Sequence, residues 1–237
     1  MKTKIILFTI LFFPIFVFGQ TWDYPIKPGS EEWKKFQNNQ EKVEACQIPE
    51  EVLTSLPTED LTELCLQYPL LYDVFAFDNL NKGLDKLYND FNGIRELYRR
   101  KDVTTSLTKR YDQKIRSLSF LNGNSTELEK GKFIISVDIL EVLLSRCDIQ
   151  NSTTERISKE ILQNLVAGYE EKIKYSDYFK GAGFRINVYS RVHVIAKMDR
   201  QSLDKLPQKI KNPALFSGVI DEESLRVIDE LSYQLIK

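Results

Sequence analysis

Between Arg95 and Arg116 the chain gathers Arg95, Arg99, Arg100, Lys101, Lys109, Arg110, Lys114 and Arg116 against only Glu96, Asp102 and Asp112. Eight bases against three acids leave a local excess of five positive charges, in a chain whose formal net charge is −1. Tyr98 and Tyr111 lie within the run, and aromatic rings beside cations can stack on sugars or support guanidinium groups. The chemistry this pattern favours is docking of an anionic partner, with Arg95, Arg99, Arg100, Lys101, Lys109, Arg110, Tyr98 and Tyr111 as the contact set. The plainer alternative is a solvated helix pair whose acidic neighbours come from elsewhere in the fold.

The inventory for catalysis is thin. His193 is the single histidine, so a His-based zinc site, a Ser-His-Asp triad or a Cys-His pair would each have to use it. Its neighbours Val192 and Val194 read as structural. The chain carries no Gly-x-Ser-x-Gly elbow, no Walker loop and no calcium loop. Gly181 and Gly183 precede a helix and could offer backbone N–H groups to an anion, but with no strand before them they read as a turn. Glu96, Glu141, Glu170 and Glu171 are the carboxylates open to a helical glycan hydrolase. All four lie among lysines and arginines at helix-surface spacing, which reads as ion pairing. No catalytic residue, no metal and no cofactor is expected. Two aromatic groups, Tyr68, Tyr72, Phe75 and Phe77, then Tyr169, Tyr175, Tyr178 and Phe179, either fill the core or line a groove between helix layers.

The elements that must position these residues are short helices. Ile48 to Pro69 is the organising stretch: Pro49 reads as the first helical residue of one helix, with Val52, Leu53 and Leu56 as its apolar stripe. Thr58 reads as the N-cap of the next, where Leu61, Leu64, Cys65 and Tyr68 recur at helical spacing until Pro69. Neither helix can bury its face alone, so stacked neighbours follow. Ser30 caps a helix bearing Trp33, Phe36 and Val43, and Leu70 to Phe77 is apolar almost all round. Asp78 or Asn79 starts a helix through Tyr88, Asn92-Gly93 marks a break, and Asp102 caps a helix through Leu118. Asn122 to Ser125 is a loop, Asn124 or Ser125 caps the following helix, and Ser152 with Glu155 is a capping box. Phe184 to Met198 fits both a helical and an alternating pattern; its length, and the lack of another strand to pair with, decide for helix. Asp221 to Ile236 closes the series.

Lys2 and Lys4, the apolar run Ile5 to Phe18 and Gly19 read as a secretory signal peptide over residues 1–19. That run is too short for a membrane span, and no later stretch reaches about 18 consecutive apolar residues. Residues 20–30, with Trp22 and Tyr24, form an extended arm that docks on the body, and residues 31–237 a single all-helical domain. Loss of Lys2 and Lys4 lowers the 33 basic residues against 34 acidic ones, so the mature chain is net negative and a nucleic-acid partner is disfavoured. In an oxidising compartment Cys46 and Cys65 form a candidate disulfide that leaves Cys147 over; the alternative is that Cys65 is a small buried hydrophobe.

The motifs Tyr24-Pro25-Ile26-Lys27-Pro28-Gly29 with Glu32-Trp33, Ala45-Cys46-Gln47-Ile48-Pro49-Glu50, Tyr68-Pro69, and Phe91-Asn92-Gly93-Ile94-Arg95-Glu96-Leu97 with Arg100-Lys101-Asp102 resemble a family of uncharacterised secreted bacterial proteins. The likeness covers about residues 24 to 111, with a weaker echo at Asn212-Pro213 and Phe216-Ser217-Gly218. It implies export and a helical module, and no activity. The expected fold is all-α: stacked short antiparallel helices, as an irregular α-solenoid of the HEAT-like kind or a helical bundle. The expected function is a non-catalytic interaction module, periplasmic or secreted, that binds a protein or glycan at the cell envelope; the alternative is an envelope glycan hydrolase with a buried carboxylate.

Overall fold

The computed structural model describes residues 22–77, 80–147, 154–206 and 220–237. The chain runs through α1 (Glu31–Lys34), α2 (Asn39–Ala45), α3 (Glu50–Ser55), α4 (Thr58–Leu66), a 3-10 turn (Leu71–Ala76), α5 (Leu80–Asp90), α6 (Asn92–Arg99) and α7 (Val103–Arg116). A second 3-10 turn (Leu118–Asn122) leads to α8 (Glu127–Ser145), α9 (Glu155–Ile173), α10 (Ser176–Phe179), α11 (Ala182–Met198), α12 (Ser202–Lys205) and α13 (Glu222–Ile236). Every regular element among the described residues is helical, so the fold is all-α. Residues 1–19, read above as a signal peptide, together with Asp78, Asn79, Ser152 and the Asn212 to Gly218 echo, lie outside the described residues.

Short polar side chains set five of the helix starts among the described residues. Ser30 Oγ accepts from the Trp33 amide, Asn38 Oδ1 from Glu41 and Asp221 Oδ1 from Ser224, each satisfying an amide that has no partner within its helix. Asn38 also explains why Trp33, Phe36 and Val43 do not share one helix, since it caps a second one. Four expected caps move, one of them at α9, where Thr154 and not Ser152 is the N-cap and Glu155 is the first helical residue rather than the third. Pro49 and Pro57 occupy the N-cap positions of α3 and α4, with extended backbone. Thr58 is therefore the first residue of α4, and its hydroxyl donates to Asp102 instead. Thr126 rather than Asn124 or Ser125 caps α8, in a capping box with Glu129.

Helix α7 lies between two halves of one continuous core. It packs on α4 and α6 on one side and on α8 and α9 on the other. Helix α11 is enclosed by α8, α9 and α13, which resolves the ambiguity of Phe184 to Met198. Ile186, Asn187, Val188, Ser190, Arg191, Val194 and Ile195 are all buried, so both the helical and the alternating pattern find apolar residues on it. A solenoid repeat touches only its neighbours, whereas α7 and α11 each touch several elements, so the packing is that of an irregular bundle.

The N-terminal half is held by side chains that bond backbone. The arm docks as expected: Tyr24 is buried and donates to the Leu64 carbonyl at 3.0 Å. Asn92 faces Ile48 like the next strand of a sheet, with Oδ1 accepting from Ile48 N–H at 3.0 Å and Nδ2 donating to Ile48 C=O at 2.7 Å. Gln47 returns the contact, accepting from Asn92 N–H and donating to the Asp90 carbonyl. Gly83 sits where α5 crosses the 3-10 turn, and an added Cβ would lie 2.0 Å from the Val74 carbonyl oxygen. That contact leaves no room for a side chain. Leu71 and Val74 of the turn are buried but Tyr72 is 46% exposed, so Leu70 to Phe77 is one-sided and not apolar all round.

Asn92→Ala leaves both polar groups of the buried Ile48 peptide without partners, and the expected loss of stability is about 2–4 kcal/mol in urea unfolding. A loss under about 0.5 kcal/mol would contradict the role given to this pair.

Candidate functional site

The structure disperses much of the basic run. Arg95 donates to the Tyr88 and Asn89 carbonyls near the end of α5. Arg100 reaches the Leu53 and Leu56 carbonyls and pairs with Glu96. Lys109 pairs with Glu59 and Arg110 with Glu63, both acids coming from α4, and Arg116 pairs with Asp112. The balancing acids thus arrive from a helix distant in sequence. Arg99 and Lys101 remain exposed. The two tyrosines require correction. Tyr98 is fully buried and donates to the Leu143 carbonyl, and Tyr111 is buried against Glu141, so neither ring offers a surface for stacking. Each is too large and apolar to stay outside when α7 and α6 pack on α8.

The candidate disulfide is also corrected. Cys46 and Cys65 are free thiols in the core, and burial pushes Cys46 up to about 11 and Cys65 higher still. They pack as small hydrophobes around Tyr24 and Tyr68. His193 is half-buried beside the Tyr189 ring. Among the described residues no group of three or more His, Cys, Asp or Glu side chains could hold a metal ion.

Of the four candidate carboxylates, Glu96 and Glu171 pair with Arg100 and Lys174, and Glu170 accepts from the Tyr233 hydroxyl. Glu141 is different. It is fully buried and accepts from Tyr111 Oη at 2.6 Å, Lys172 Nζ at 2.8 Å and Asn187 Nδ2 at 2.8 Å. Lys172, equally buried, also donates to Asp138 Oδ1 at 2.9 Å and to the Gly183 carbonyl, and lies 4.8 Å over the Phe179 ring. Gly181 is thus the N-cap of α11 and Gly183 lies in its first turn, where its carbonyl accepts from an internal cation. Two carboxyls share one ammonium. Burial pushes both acids above their usual range despite Lys172, whose own ammonium is held up by the two acids against the effect of burial. Lys172, Asp138 and Asn187 were not legible as a site, although Asp138 and Glu141, one turn apart in the apolar run Val137 to Leu144, are a signal of buried charge.

A different feature is open. The arm, α4, the two 3-10 turns, α7 and α8 enclose a groove of about 820 Å³. Tyr72, Phe120 and Phe133 line it together with Arg110, Lys114 and Lys132. Phe120 stacks on Phe133 with centroids 5.2 Å apart, and Lys114 Nζ lies 4.8 Å over the Phe133 ring. Phe120 is 39% exposed. The first aromatic group thus divides: Tyr72 lines the groove, while Tyr68 goes to the core, stacked 3.9 Å from Phe91. In the second group Phe179 is buried and Tyr169, Tyr175 and Tyr178 are half-buried against the core.

No protein-family profile matches the chain, and neither a curated protein nor a solved structure matches it. No helix among the described residues is long and apolar enough to cross a membrane.

Two outcomes follow from the buried cluster. Gly168→Ala would place a Cβ 1.8 Å from Tyr111 Oη, and an expected loss of about 1–3 kcal/mol or more in urea unfolding measures how firmly that tyrosine is held. The raised carboxyls contribute stability that is fully present below about pH 4 and is lost as pH rises through their elevated native values. Wild type should therefore lose stability relative to Glu141→Gln as pH rises from about 4.5 toward the raised native value of the carboxyl, and parallel curves would contradict the assignment.

Proposed function

We propose that this protein is an exported, non-catalytic helical module that binds a protein or glycan partner at the cell envelope, and that the groove beside Phe120 and Phe133 is where it does so. The groove carries the reading. It combines exposed aromatic surface with ammonium groups in a cleft wide enough for an extended ligand, a combination that favours recognition. The leader-like N-terminus and the motif resemblance support export. The hydrolase alternative needs a carboxylate with an elevated pKa facing substrate. Glu141 has the elevated pKa, but Lys172, Tyr111 and Asn187 enclose it inside the core.

The test is affinity capture from an envelope extract of the source organism, with wild type and with a Lys114→Glu, Lys132→Glu, Phe120→Ser variant of unchanged circular dichroism. Material held by wild type and lost by the variant is the expected result. Identical captures from both proteins would exclude the groove as the binding face.

A further inference from the structure

We infer that the groove's occupant is an acidic glycan, whose sugar rings lie on Tyr72 and Phe120 and whose carboxylates meet Lys114 and Lys132. This rests on the binding-module reading above and gives it a ligand class. The charges around the groove lead to it. Four cations line the groove, Lys27, Arg110, Lys114 and Lys132, with three acids, Asp23, Glu63 and Glu129. Asp23 holds Lys27 and Glu63 holds Arg110. Glu129 is engaged at 2.8 Å by both the amide and the hydroxyl of Thr126, as part of the cap of α8. Each acid in the groove thus has a closer partner, and among the described residues neither Lys114 nor Lys132 makes an ion pair; Glu63 and Glu129 act on them only from farther off.

Lys114 is the more telling of the two. It is half-buried over Phe133, and its ammonium is disfavoured first by burial and then by the neighbouring Arg110, which Glu63 only partly offsets. A carboxylate delivered into the groove would relieve both. The exposed rings of Tyr72 and Phe120 offer flat apolar faces on the same cleft, suited to the C–H faces of sugars. An extended peptide finds less here. The walls are mainly helices whose backbone groups bond within themselves, and among the described residues there is no strand edge to pair with. A chain of sugar rings that needs no main-chain ladder and carries carboxylates at intervals matches the groove better.

The experiment is isothermal titration of the purified protein with oligogalacturonate, oligoalginate and hyaluronan oligosaccharides, the methyl-esterified form of each, and poly-glutamate. At least one acidic glycan is expected to bind, more weakly as salt rises. Its esterified form and Lys114→Gln, Lys132→Gln should each lower affinity about tenfold or more, as loss of charge-assisted bonds implies. Phe120→Ala should weaken binding by a similar factor. Binding to none of the three glycans overturns the inference, as does equal binding of the esterified forms. Equal or tighter binding of poly-glutamate also overturns it and points to an acidic protein. Should groove-dependent capture from envelope extract persist in any of these cases, only the ligand class falls and the binding-module reading stands.

Discussion

Lys172 is buried between two carboxyls, and the C-terminal half of the molecule is arranged around that fact. Taking an ammonium and two carboxyls out of water costs several kcal/mol for each charged group, and only close geometry with filled hydrogen-bonding capacity offsets it. Four helices contribute: Tyr111 from α7, Asp138 and Glu141 from α8, Lys172 from α9 and Asn187 from α11. If one helix slips, a charge loses its partner. The cluster therefore selects one register among many that apolar packing alone would tolerate, a role suited to a buried ionic group. Gly168 belongs to the same constraint, because Tyr111 reaches Glu141 only where α9 has no side chain. A second buried cation works similarly at the edge of this half. Arg191 of α11 bonds Ser232, the Ile228 carbonyl and Asp229, and so fastens α13.

The N-terminal half uses different means. Its long-range polar contacts mostly end on backbone carbonyls and amides, as with Tyr24 on Leu64, Asn92 on Ile48 and Arg100 on Leu53 and Leu56. Helices of six to nine residues, such as α3, α4 and α6, leave many terminal backbone groups for few internal bonds. Side chains from neighbouring helices supply what the short helices lack. The groove opens where this half meets α8. Its walls come from both halves, so its shape depends on α7 holding them together.

Helical periodicity and capping residues made most elements legible. Leu61, Leu64 and Cys65 describe a buried stripe that the packing uses, and so do Ile228 and Leu231 with Leu225 half-buried beside them. The caps were off where proline was involved, because a proline can end an extended segment as well as begin a helix. Thr126, one residue beyond the expected caps, closes a capping box with Glu129, although Asn124 has Glu127 at the same spacing, so spacing alone did not decide between them. The basic run misled for a physical reason. Charge counted along a segment omits acids such as Glu59 and Glu63 that the fold brings from another helix. Lys172 was illegible because nothing in the local sequence marks a lysine as buried; its carboxyl partners lie more than thirty residues away. The groove likewise joins residues from the arm to α8 that no local pattern connects.

The central claim is that recognition takes place in the groove and not on the exposed remainder of the basic run. Side-chain resonances of Lys114, Phe120, Phe133, Arg99 and Lys101, followed by nuclear magnetic resonance during titration with an envelope glycan fraction, test it most directly. Saturable shifts at Lys114, Phe120 and Phe133 with Arg99 and Lys101 unmoved are the predicted result. Shifts confined to Arg99 and Lys101 would contradict it.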